Sequence, residues 1–170
     1  MRDIKHGCPA PLSRQLSSAQ FHAAVSLSQL HIMIFDDDPA SRAELRDALK
    51  SAGGPYITEV FNRGRACGGE VSFPSSLDVI ISNTQFDSGS GLALLKAIRI
   101  GLLADVRPDL CFIFVSDCAD AAVVRMAAQL DANGYLIKPF LYSSLRATVL
   151  RGFEKPVTGP QLKYANCLLH

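Results

Sequence analysis

The pair Asp36-Asp37, the hydroxyl Ser116 and the ammonium Lys138 stand at the ends of short apolar runs. Carboxylate oxygens suit a hard cation such as Mg²⁺. Hydroxyl and ammonium donors suit the oxygens of a phosphoryl group. A site that gathered all four would hold a metal and a phosphoryl group around a central side chain. The residue available for that centre is an amide, Asn83, which closes the apolar run of "LDVIISNTQFDSGSGLALLKAIR". An amide oxygen is neutral and its lone pairs are delocalised, so the residue at that centre adds no charge to the two carboxylates.

These residues can meet only if their elements share one sheet. Leu30 to Phe35 is apolar apart from His31, as in a strand covered on both faces. Asp38 suits a helix N-cap and Pro39 a first turn. Leu45, Ala48, Leu49 and Ala52 then line one helical face up to Gly53-Gly54. Tyr56 to Phe61 reads as a second strand. The helix expected after it, in "NRGRACGGEVSFPSS", is short or broken by Gly64, Gly68, Gly69 and Pro74. Asp78 to Ser82 is a third strand, and a helix from Gly91 to about Ile100 turns Leu92, Leu95 and Ile98 inward. Cys111 to Val115 is a fourth strand, followed by a helix from Ala119 to Leu130. "GYLIKP" is a fifth strand, and "LYSSLRATVLRGF" is a helix with Leu141, Leu145 and Val149 at four-residue spacing. Repeated strand–helix alternation predicts a doubly wound α/β fold, with a five-stranded parallel sheet between two helical layers. Ligands of such sheets sit beyond the carboxyl ends of the strands, where strand order reverses.

The rest of the composition narrows the function. The 170 residues are 48% hydrophobic and 19% charged, with a net charge of +1, so no global field draws the chain to nucleic acid or acidic lipid. The apolar runs are strand-length, the N-terminus lacks the apolar core of a secretory signal, and a cytoplasmic location is expected. Cys8, Cys67, Cys111, Cys118 and Cys167 form no C-x-x-C pair. Their odd number suggests neither a disulfide framework nor a zinc site. Residues 1–28 read as a flexible polar arm, 29–154 as the folded domain and 155–170 as a tail.

The order of "IMIFDDDPASRAEL", "DVIISN", "SGSGLALLKAIR", "FIFVSD" and "GYLIKPF" resembles the receiver domains of bacterial response regulators, from about Leu30 to Phe153. The resemblance implies a CheY-like, flavodoxin-like (βα)5 sandwich. It also implies that Asp36 and Asp37 are the metal-binding acids and Ser116 the switch hydroxyl. Lys138 becomes the phosphate-site lysine, Pro139 the cis-proline after it, and Tyr135 the aromatic that swings inward on activation. The phosphoacceptor position falls on Asn83, and its spacing to Gly91 agrees with the family. Asp87 stands where the family usually has proline, and Thr84 and Asp87 lie in the adjoining loop.

The expectation is therefore a stand-alone pseudo-receiver, not an enzyme. It would signal by protein–protein contact, without phosphorylation at the usual site and with Mg²⁺ bound weakly at most. The partner would be a histidine kinase or another regulator, with a homodimer as the alternative. The resemblance places that contact on the fourth helix, fifth strand and fifth helix, with Val123, Val124, Tyr135, Leu141 and Tyr142 among its residues. Two rival readings are phosphorylation of a neighbouring acid, Asp37 or Asp87, and a small-ligand sensor on the same fold. Within the domain, Cys111 and Cys118 read as core-filling residues.

Overall fold

The computed structural model describes residues 26–50, 56–60, 72–87, 89–155 and 157. Strands β1 (His31–Phe35), β2 (Tyr56–Val60), β3 (Val79–Ser82), β4 (Cys111–Ser116) and β5 (Gly134–Ile137) form one sheet in the order β2-β1-β3-β4-β5. All its pairings are parallel. Strand order reverses between β1 and β3, which puts the crevice at the carboxyl ends of those two strands. The helices are α1 (Pro39–Lys50), α2 (Gly91–Arg99), α3 (Ala121–Gln129) and α4 (Tyr142–Glu154). The helix expected between β2 and β3 falls largely on 61–71, outside the described residues, as do most of the expected arm and tail. No helix among the described residues is long and apolar enough to cross a membrane.

Every residue of β1, β3 and β4 is buried, as their unbroken apolar runs require of strands covered on both faces. Because side chains alternate along a strand, the runs divide between two cores. Met33, Phe35, Ile80, Phe112 and Phe114 meet α2 and α3 on one face. Ile32, Ile34, Val79, Ile81, Ile113 and Val115 meet α1 and α4 on the other. Cys111 joins the second core, and burial drives its thiol pKa far upward, which makes it an inert packing group. The core also reaches back into the arm expected at 1–28: a 3-10 turn, Leu27–Gln29, buries Leu27 completely.

Caps set the helix starts. Asp38 accepts the N–H groups of Ala40 and Ser41, Ser90 that of Leu92, and Asp120 that of Ala122. The Asp120 cap starts α3 at Ala121, two residues later than the apolar pattern suggested. Leu145 and Val149 are buried as expected, but Leu141 is the N-cap of α4 and 72% exposed. Its four-residue spacing from Leu145 is therefore not a helical repeat.

His31, the polar interruption of β1, is buried. Its Nδ1 lies 2.9 Å from the Ser76 hydroxyl and its Nε2 3.0 Å from the Thr58 hydroxyl. Its backbone N–H donates to Asp78, and its ring meets Tyr56 edge-on. Burial lowers its pKa from the ordinary value of 6.5. The unfolded chain therefore takes up this proton more readily than the folded one, so the stability due to neutral His31 is complete above pH 6.5 and is lost as pH falls through the depressed folded value. Melting temperature is expected to fall between pH 7.5 and pH 5, and His31→Gln should flatten that slope. Equal slopes for the two proteins would refute this assignment.

Candidate functional site

Strand register gathers the polar residues. Phe35 pairs with Ser82, so Asp36 and Asn83 leave the sheet side by side. Ser116 pairs with Ile137, so Lys138 leaves next to Ser116. Backbone bonds from Asn83 N–H to the Phe35 carbonyl and from Lys138 N–H to the Ser116 carbonyl extend both ladders by a step. The Lys138–Pro139 peptide is cis. Gly91 closes the loop from below: a Cβ there would sit 2.1 Å from the Asn83 carbonyl oxygen, so only glycine permits this approach of α2 to β3.

Asp36 is buried and fully engaged. Its Oδ2 accepts from Ser41 Oγ at 2.7 Å and from Lys138 Nζ at 3.0 Å, and its Oδ1 accepts the Asp38 N–H at 3.0 Å. Its carbonyl accepts from the Arg42 guanidinium at 2.6 Å. The Lys138 ammonium also donates to Ser41 Oγ and lies 3.6 Å from the exposed Asp117 carboxylate. No hydrogen bond joins Lys138 to Asn83 among the described residues. The Asn83 amide oxygen instead accepts its neighbour's N–H, that of Thr84, at 2.7 Å.

Asp37 is held from the other side: its Oδ2 accepts the Asp87 N–H at 2.7 Å. A proline at 87 would have no N–H, so this tie depends on the residue type that departs from the family pattern. The loop carrying Asp87 is a small antiparallel hairpin, with Gln85 opposite Ser90 and Phe86 opposite Gly89. Ser116 Oγ and Thr84 Oγ1 share a hydrogen bond beneath it, and both side chains are buried. Tyr135 is half-buried against Phe114, and its hydroxyl donates to the Cys118 carbonyl at 2.7 Å.

The expected site residues Asp36, Asp37, Asn83, Thr84, Ser116 and Lys138 thus converge, with Asp87 joining through its backbone. Among the described residues no group of three or more His, Cys, Asp or Glu is placed to hold a metal. Both oxygens of Asp36, one of Asp37 and the oxygen of Asn83 already accept hydrogen bonds. Two carboxylates, Asp36 and Asp37, would be left to hold Mg²⁺, which otherwise keeps its waters, and an amide at 83 would add no charge to them. Ser41 and Arg42 escaped the sequence reading, although the first turn of α1 must face the acids that precede it. The role of Thr84 as the partner of Ser116 escaped it too.

A parallel sheet with a polar site at its switch point, ended by a lysine–cis-proline step, makes this a doubly wound α/β domain with its site beyond the carboxyl ends of β1 and β3. The chain belongs to the response regulator receiver family: the family model for the response regulator receiver domain matches residues 32–150. It is 29% identical over 121 residues to a probable chemotaxis protein CheY of Rhizobium etli, covering 71% of this chain and 90% of that protein. It is 28% identical over 159 residues to the sensor kinase CckA of Brucella abortus, covering 89% of this chain and 15% of the kinase. Among solved structures, a two-component response regulator from Clostridium difficile superposes with a TM-score of 0.62 at 24% identity, over 75% of this chain and 98% of that one. A receiver domain protein from Clostridium thermocellum gives 0.60 at 19% identity, over 73% and 94%. The chain is a receiver domain of two-component signalling, a class of modules that interact with kinases or other signalling proteins.

Proposed function

We propose that this receiver signals through protein–protein contact without phosphorylation at the usual site. The observation that carries the reading is Asn83 at the end of β3, with the Lys138 ammonium paired to Asp36 instead of to the strand-three residue. A receiver aspartate attacks the phosphorus of a phosphohistidine; the P–N bond breaks, the imidazole keeps the electron pair, and an acyl phosphate forms. Asn83 cannot make that product. The geometry does not favour a neighbouring acid: Asp37 is tied to the Asp87 N–H, and the Asp87 side chain points into solvent. The contact face proposed is α3, β5 and α4, where Ile137, Leu141 and Tyr142 are 45%, 72% and 54% exposed. Its partner is a histidine kinase or another signalling protein.

Incubation with acetyl phosphate and Mg²⁺, read by intact mass, is expected to leave the protein unmodified. A hydroxylamine-labile phosphoryl adduct would overturn the reading. Its loss in Asp37→Asn or Asp87→Asn would then name the acceptor.

A further inference from the structure

We infer that Thr84 is a built-in latch, its hydroxyl holding Ser116 and Tyr135 in one arrangement without any phosphoryl group. The inference rests on the phosphorylation-independent reading above and supplies the means by which the contact face would stay in a single form.

The geometry is a short chain of polar contacts that runs from Thr84 to Tyr135 through the N–H and the carbonyl of Cys118. The Cys118 N–H donates to Ser116 Oγ at 3.1 Å. Ser116 Oγ shares a hydrogen bond with Thr84 Oγ1. The Tyr135 hydroxyl donates to the carbonyl of the same Cys118. The Ser116 and Thr84 hydroxyls also lie near the phenol oxygen and favour its ionised form, against the upward push of burial on the Tyr135 pKa. Thr84 and Ser116 are 0% and 1% exposed, so water cannot replace either partner without opening the loop. A buried hydroxyl left alone loses free energy comparable to its whole desolvation penalty, which makes the paired state much the better one.

The position of the latch gives it reach. Thr84 stands between Asn83 and the loop hairpin, while Tyr135 belongs to β5 and packs with Phe86, Val123 and Met126 against the core under α3. A change at Thr84 therefore passes through Ser116 and the Cys118 peptide to the tyrosine on the proposed contact face. Deleting only the hydroxyl would leave Ser116 with one partner fewer and remove one polar neighbour of the phenol.

The test compares the full chain with Thr84→Val, which keeps the shape and removes the hydroxyl, and Thr84→Ser, which keeps the hydroxyl. Amide exchange at Cys118 and the ring resonances of ¹³C-labelled tyrosine, assigned through Tyr135→Phe, are the readouts. In Thr84→Val the Cys118 amide is expected to exchange roughly tenfold faster, the effect of one lost hydrogen bond on a local opening, while the β1 amides stay unchanged. The Tyr135 ring signals are expected to shift and broaden, and Thr84→Ser should restore both toward the natural chain. No change in Thr84→Val would overturn the latch, and so would an equal change in Thr84→Ser, which would assign the effect to the lost methyl group. If Thr84→Val does not fold, Thr84→Ala removes the same hydroxyl and leaves Ser116 Oγ, the acceptor of the Cys118 N–H, in place, and it carries the same expectations against Thr84→Ser. A phosphoryl adduct on the natural chain would sink the reading of function but leave these readouts standing, so the two failures are distinguishable.

Discussion

Asn83→Asp is expected to make the melting temperature depend clearly on Mg²⁺, with only a small response expected of the natural chain. The two side chains are nearly isosteric, and the loop above them is fixed by Gly91 and by the Asp87–Asp37 tie, so the variant should fold. It adds a third carboxylate beside Asp36 and Asp37. Two carboxylates a few ångströms apart repel by roughly 3–4 kcal/mol at an effective dielectric near 20. Lys138 can turn from Ser41 toward the new charge and recover part of that. A net loss of about 1–2 kcal/mol without metal, or about 3–6 °C, is the expected result. Mg²⁺ should restore it, since a ligand that binds only the folded state stabilises it by mass action. The response should be larger in Asn83→Asp/Asp87→Pro, where the N–H that occupies Asp37 is gone. Identical Mg²⁺ responses in the natural chain and Asn83→Asp would show that residue 83 lies outside the acidic pocket.

Arg99→Met should be the most destabilising single change away from the site. Arg99 ends α2 with 0% of its surface exposed. Its Nε donates to the Leu130 carbonyl at 3.2 Å, and one terminal nitrogen donates to the Pro108 and Leu110 carbonyls at 2.7 and 2.9 Å. The other reaches the Asp131 carbonyl and the Asn133 side-chain oxygen. Asn133 in turn accepts the Phe112 N–H and donates to the Gly152 and Lys155 carbonyls. One guanidinium thus fastens α2, the entry to β4, the α3–β5 turn and the end of α4. Methionine replaces only the stem, ending about where Nε stands, and strands those acceptors, so a loss of about 3–5 kcal/mol is expected from the broken buried network. Arg99→Lys keeps the charge but not the planar fork, so it should fall between. Urea unfolding measures both; a Met variant within about 1 kcal/mol of the natural chain would mean that the carbonyls find other partners.

Much of this was readable in the chain. The apolar runs of β1, β3 and β4 and the polar residue after each fixed the sheet and located its site, because a buried parallel strand leaves little other choice of composition. The pairing inside the site was not readable. Lys138 chooses between Asp36 and the strand-three residue by charge and by the presence of Ser41, and Lys138 and Asp36 are separated by 102 positions. The loop hairpin has two-residue strands, too short for any alternation to show. Leu141 mimicked a helical repeat from outside the helix. Arg99 carried a usable signal: it lies seven residues after Leu92 and four after Leu95, on the buried stripe. A basic residue in a helix's last turn ordinarily stays solvated near the negative end of the helix dipole, and that tendency competes with the signal for burial.

The amide at the end of β3 also bears on time. An acyl phosphate hydrolyses, so a receiver that forms one carries a chemical clock, and its signal decays even while its concentration is constant. Asn83 has no bond of that kind to lose. The fraction of partner engaged would then follow the ratio of concentration to Kd, and its persistence the dissociation rate. Such a protein would report how much of itself the cell has made, and turning its signal off would take dilution, degradation or a competitor for the same face.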